Sequence, residues 1–199
     1  MKILIKTTSA RPALQWAQRI LFGIAFVMLG YCAFVLADTW IFQRRENAAL
    51  ERFVPEQPAV TSPGVALPGP EGLIGRMEVP RLDVSVMVVE GTSGKTLRRG
   101  VGHIAGTALP GQPGNVGIAG HRDTFFRPLR NIQRDDIITL TTPQGEYRYR
   151  VVSTKIVNPD NVAVLNSDGD EVLTLVTCYP FYYVGPAPDR FIVRATRMS

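Results

Sequence analysis

The chain has 199 residues, 45% of them hydrophobic and 20% charged, with a net charge of +5. After residue 71 there are 15 Lys or Arg against 12 Asp or Glu, with no basic run interleaved with aromatics, which argues against a nucleic-acid surface. Its two cysteines, Cys32 and Cys178, are too few for a disulfide framework, so the fold has to rest on packing.

Residues 1–19 carry Lys2, Lys6, Arg11 and Arg19 and are read as a cytoplasmic segment. Residues 20–37, ILFGIAFVMLGYCAFVLA, hold no charge over eighteen positions, the lower end of what spans a hydrocarbon core as a helix. Beyond them Asp38, Arg44, Arg45 and Glu46 nearly cancel, so the positive-inside bias leaves the N-terminus in the cytoplasm and exports the rest. Trp40 and Phe42 suit the interfacial belt. The competing reading is a signal peptide cut before Asp38, with Val35 and Ala37 as its small residues. The apolar stretch is longer than a usual signal core, which favours a retained single-pass anchor in the cell membrane. Residues 38–71 contain Pro55, Pro58, Pro63, Pro68 and Pro70 and are expected to form an extended, semi-stiff extracytoplasmic tether.

Residues 72–199 are enough for one core. Short runs rich in Val, Ile, Leu and Tyr lie at Leu73–Val79, Val84–Glu90, Val116–Gly120, Asp136–Thr142, Glu146–Val157, Val172–Cys178 and Arg190–Thr196, separated by Gly, Pro, Asn and Asp. Such spacing predicts an all-β domain of seven or eight strands, an antiparallel barrel or sandwich, with short helices at Lys95–Arg99 and Phe125–Ile132.

A lone thiol in a β-domain is as a rule a small buried hydrophobe. Cys178, however, closes a strand, because the following Tyr179-Pro180 cannot continue the ladder, and this sets the sulfur at a rim. A thiol nucleophile also needs a proton-transfer partner and a group that holds charge on the attacked oxygen. His121, in IAGHRDTFF, sits where a strand exits into a loop, and His103, in GVGHIAG, lies among glycines in an expected turn. Arg190 and Arg194 share one face of the last run by period two, so pattern does not choose between them. CxxC, HExxH, phosphate-loop and GxSxG motifs are absent.

Three strings, LTLVTCYPF at 173–181, NVGIAGHRDTFFRPL at 115–129 and APDRFIVRA at 187–195, resemble the signature segments of sortases. The likeness extends over nearly all of residues 72–197 and is nearest to class D, ahead of classes E and C. It implies a closed sortase-type β-barrel of about eight strands, with Cys178 as nucleophile, His121 as the catalytic histidine and Arg190, rather than Arg194, as the catalytic arginine. His103 matches no catalytic position and is expected to be structural.

The implied reaction is cysteine transpeptidation. Cys178 cleaves an LPxTG-like C-terminal sorting signal through a thioester, and the protein passes to an amine acceptor, a cell-wall peptide or a protein lysine. No cofactor is expected. Some sortases hold calcium in the loop before the cysteine strand, but here Asp160, Asp168, Asp170 and Glu171 lack the EF-hand spacing, and the loop is read as solvated. Two rivals differ in class. An exported L,D-transpeptidase would share the anchor and thiol, but its SHGC-type motif is absent. A non-catalytic membrane-tethered β-domain would bury Cys178.

Overall fold

The computed structural model describes residues 11–53, 68–69, 72–166 and 169–198. Two compact units make up the chain, Met1–Trp40 and Ile41–Ser199. Helix α1 spans Arg11–Phe53. Within it Leu21, Phe26, Leu29, Phe34 and Leu36 are all exposed, as expected of a helix whose partner is lipid rather than a protein core. The stretch Leu14–Arg45 is long and apolar enough to cross a membrane.

The expected tether is therefore helical as far as Phe53, and residues 54–67 and 70–71 of it lie outside the described residues. The reason is local. RRENAALERF is built from strong helix formers, and the first proline, which disfavours helix at the residue before it, comes only at Pro55. Within the second unit this stretch is built into the domain. The Gln43 side chain donates to the Arg99 carbonyl and accepts from the Met87 amide at 3.0 Å, while Phe42 packs on Leu73 and Met87.

Eight strands follow: β1 (Leu73–Val79), β2 (Val84–Glu90), β3 (Val101–His103), β4 (Asn115–Ala119), β5 (Ile137–Thr142), β6 (Gly145–Val157), β7 (Val172–Tyr179) and β8 (Asp189–Arg197). They close a barrel in the order β1-β2-β3-β4-β7-β8-β6-β5. Alternate residues of each strand fill it, with Met77, Val86, Val88, Ile118, Leu140, Tyr147, Tyr149, Leu173, Leu175 and Val193 in one buried cluster. The barrel is mixed, not purely antiparallel, because β2·β3 and β4·β7 are parallel pairs. A parallel pair needs a crossover. Between β2 and β3 the short helix α2 (Gly94–Arg99) supplies it, capped by the Ser93 hydroxyl, which accepts from the Thr96 amide.

Two local expectations change. The segment expected as a helix at Phe125–Ile132 is a 3-10 turn at Arg127–Asn131, with Pro128 in its first turn. His103 lies not in a turn but at the end of β3, buried. Its Nδ1 is 2.8 Å from Glu90 Oε2, and its Nε2 is 3.0 Å from both the Ala108 carbonyl and Thr107 Oγ1. It joins β2, β3 and the β3–β4 connection.

Candidate active site

Strand register brings Cys178 and Arg190 together, and the bond from Thr177 to Gly120 brings the segment that carries His121 up to the end of β7. In the parallel pair, Ala119 of β4 lies opposite Val176 of β7, and the Gly120 amide donates to the Val176 carbonyl at 3.1 Å. Thr177 Oγ1 donates to the Gly120 carbonyl at 2.7 Å. His121 is the next residue after Gly120, beyond the end of β4, and Cys178 is the next after Thr177. On the other side Cys178 of β7 and Arg190 of β8 are direct antiparallel partners, so their side chains share a face. Neighbouring strands stand about 5 Å apart, which places thiol and guanidinium in adjacent columns of the sheet.

Register also separates two arginines that periodicity could not. Arg194 pairs with Thr174 and Ser153, four residues along β8 from Arg190, or roughly 13 Å at the rise of a strand. Arg190 Nη1 donates to the carbonyls of Ala187 and Asp189, at 3.3 and 3.0 Å.

Cys178 is half-buried, with its outward-facing strand mates Thr174 and Val176 running away from the rim. The rim itself is braced by aromatics. Tyr179 and Phe181, which follow the cysteine, and Phe191, which follows Arg190, form a cluster with ring centroids 5.2 to 6.4 Å apart. The Tyr179-Pro180 peptide is cis. On the histidine side, Phe126 is fully buried against Gly120, where a Cβ would come within 2.7 Å of its ring. The Phe126 amide returns to the His121 carbonyl at 3.1 Å. Gly120 is thus required by close approach, and the turn it permits fixes the backbone of His121.

From Arg190 the outward row of β8 continues through Ile192 to Arg194. These two, with Ser153, Lys155 and Val157 of β6 and Asn161, Ala163 and Val164 of the β6–β7 connection, line a groove of about 270 Å³. Asn115 holds that connection in place. Its Nδ2 donates to the carbonyls of Val164 and Asn166, and its Oδ1 accepts from Thr174 Oγ1 at 2.8 Å, all within a buried site. Neither Asn115 nor Thr174 announces this role in the sequence, since a polar residue at a strand end reads as an ordinary boundary. Of the four carboxylates expected in that connection, Asp168 lies outside the described residues, and Glu171 pairs with Arg197 at 3.4 Å.

The comparisons with known proteins agree with this architecture. A family model described as the sortase domain matches residues 77–198. Sortase D of Bacillus subtilis is 38% identical over 126 residues, 63% of this chain and 64% of its own length. Sortase A of Listeria monocytogenes is 32% identical over 127 residues, covering 61% of this chain and 57% of the relative. The chain thus spans rather less than two thirds of either relative. Among solved structures, a sortase D5 transpeptidase of Clostridium perfringens superposes with a TM-score of 0.58 at 29% identity, over 64% of this chain and 79% of that one. A SrtA sortase from Actinomyces oris gives 0.62 at 28%, over 70% and 87%. The family match and the shared closed barrel converge, and the chain belongs to the sortase family, with class D the best supported of its classes.

Proposed function

We propose that this protein is a membrane-anchored cysteine transpeptidase that cleaves an LPxTG-like C-terminal sorting signal and passes the protein to an amine acceptor. The observation that carries the reading is the end of β7, where Cys178 is the direct partner of Arg190 and the neighbouring Thr177 is bonded to Gly120, the residue before His121. The Cys178 sulfur attacks the carbonyl carbon of the signal's threonine while its proton goes to His121. Arg190 donates hydrogen bonds to the resulting oxyanion. Collapse of this tetrahedral species breaks the peptide bond, and His121 returns the proton to the departing amine, leaving a thioester. An acceptor amine, a cell-wall peptide or a protein lysine, then adds to the thioester carbonyl and gives its proton to His121. Expulsion of the thiolate completes the new amide. No step requires a cofactor.

The groove lined by Ile192 supports the substrate assignment, because it lies on the outer barrel face along β6 and β8, where Val157 is the strand partner of Arg190, and has apolar walls at Ala163 and Val164. An extended peptide laid there brings its leucine and proline to the apolar end and its threonine carbonyl to Cys178. The apolar helix, with its basic N-terminal flank, supports an anchor whose N-terminus is cytoplasmic and whose barrel is extracytoplasmic.

The test is incubation of the full-length chain in detergent micelles with a library of sorting-signal peptides and an amine acceptor, read by intact mass. The expected product is a covalent acyl adduct on Cys178 that amine resolves to a new amide. Cys178→Ala should form no adduct, and an adduct that persists in this variant would remove Cys178 as the nucleophile.

A further inference from the structure

The segment after His121 grips the loop between β7 and β8. Arg122 Nη2 donates to the carbonyls of Tyr183 at 2.7 Å and Gly185 at 2.9 Å, and its guanidinium lies 5.8 Å from the centroid of the Tyr183 ring. Arg122 Nη1 is shielded from solvent and has no hydrogen-bond partner among the described residues, so the grip on the loop is made through Nη2. Both acceptors are main-chain oxygens. Elsewhere the loop is held by the Arg130 guanidinium, 5.5 Å from the Tyr182 ring centroid, and by the Tyr183 amide, which donates to the Pro180 carbonyl at 3.3 Å, while Tyr182, Tyr183 and Val184 are exposed and Gly185 sits in a left-handed turn at φ 102°. Two residues beyond Gly185, the Ala187 carbonyl receives Arg190 Nη1.

We infer that Arg122 is a positioning residue, which clamps the β7–β8 loop and through Ala187 fixes the guanidinium of Arg190 beside Cys178. The inference rests on the transpeptidase reading above. Arg122 touches neither thiol nor carbonyl carbon; it sets the distance between the oxyanion donor and the atom it serves. A displacement of about 1 Å at such a donor costs up to a hundredfold in rate. Lysine at this position would carry the charge but not the planar fork, and would hold one carbonyl in place of two.

The experiment compares wild type, Arg122→Ala and Arg122→Lys as full-length chains in micelles, each in a Cys32→Ala background so that Cys178 is the sole thiol. Three readouts are taken: amide hydrogen exchange by peptide, thioester formation with a sorting-signal peptide, and alkylation of Cys178 by iodoacetamide. Arg122→Ala should raise exchange over residues 181–188 by about tenfold while the strands stay protected. It should lower kcat for thioester formation roughly ten- to a hundredfold with KM and the alkylation rate little changed. Arg122→Lys should fall between, and it serves alone if the alanine variant loses barrel protection.

Unchanged exchange over 181–188 overturns the clamp. Raised exchange with undiminished kcat overturns the positioning role. A fall in alkylation rate equal to the fall in kcat places the effect at the thiol and also overturns it. If wild type forms no thioester with any peptide while exchange rises as expected in Arg122→Ala, the transpeptidase reading fails, and with it the catalytic purpose of a clamp that is itself real.

Discussion

In the proposed reaction Arg190 does something lysine does poorly, because a planar guanidinium anchors one nitrogen on Ala187 and Asp189 and carries further donors that a developing charge can use. Arg190→Ala should lower kcat for thioester formation by about a hundred- to a thousandfold, the usual cost of one oxyanion donor, and Arg190→Lys should recover little of it. Arg194→Ala, on the groove floor, should raise the peptide KM and leave kcat alone. Single-turnover kinetics of the three variants separate these outcomes, and a full loss of kcat in Arg194→Ala with retention in Arg190→Lys would reverse the assignment. At this scale the sequence was readable for Cys178, because a proline two residues on marks the end of a strand. The resemblance to sortases is what singled out Arg190; periodicity did not separate the two arginines, whose equal spacing on one face hides the fact that only Arg190 is abreast of the cysteine. That distinction is a property of register, which no single strand contains.

Elements were legible in proportion to their length. The seven runs anticipated from periodicity all became strands, whereas β3, with three residues, is shorter than any window in which alternation can be counted. Its pairing with β2 is parallel and depends on α2, so His103 read as a turn residue when it is a buried junction between β2 and the β3–β4 connection. The β6–β7 connection shows the opposite problem, since its polar composition reads as a free loop while Asn115 ties two of its carbonyls down from β4. Asn115→Ala should therefore leave Thr174 and both carbonyls without partners, costing about 1–3 kcal/mol of stability. It should also raise the peptide KM, because Ala163 and Val164 form one groove wall. Urea unfolding together with steady-state kinetics checks both parts, and a stable variant with unchanged KM would show that the connection is held by other contacts.

Across the whole barrel, the ion pair between Arg81 and Asp136 stitches the turn after β1 to the start of β5. Arg81 Nη2 reaches Asp136 Oδ2 at 2.6 Å and the Asn131 carbonyl at 2.6 Å, and the Gln133 amide also donates to the carboxylate. Hydrogen bonding by Arg81 is the main cause that holds the Asp136 carboxyl below its usual range, with the Gln133 amide adding to it against the opposing effect of burial. A lowered folded value means that this stabilisation is complete above about pH 4 and is lost as pH falls through the folded pKa. The Tm difference between wild type and Asp136→Asn should accordingly be constant from neutral pH to about pH 5 and shrink below about pH 4; a difference that persists undiminished at pH 2 would assign it to packing. Closure of the barrel has a consequence for recognition. Each of the eight strands has a neighbour on both sides, so among the described residues only short unpaired stretches, such as 84–87 of β2 on its β3 side, are left on which an incoming peptide could be added as a further strand, the route by which many domains hold extended ligands through main-chain bonds alone. For the proposed peptide substrate, recognition along the outer face would then rest mainly on its side chains, so selectivity between one polypeptide tail and another would be a matter of residue shape.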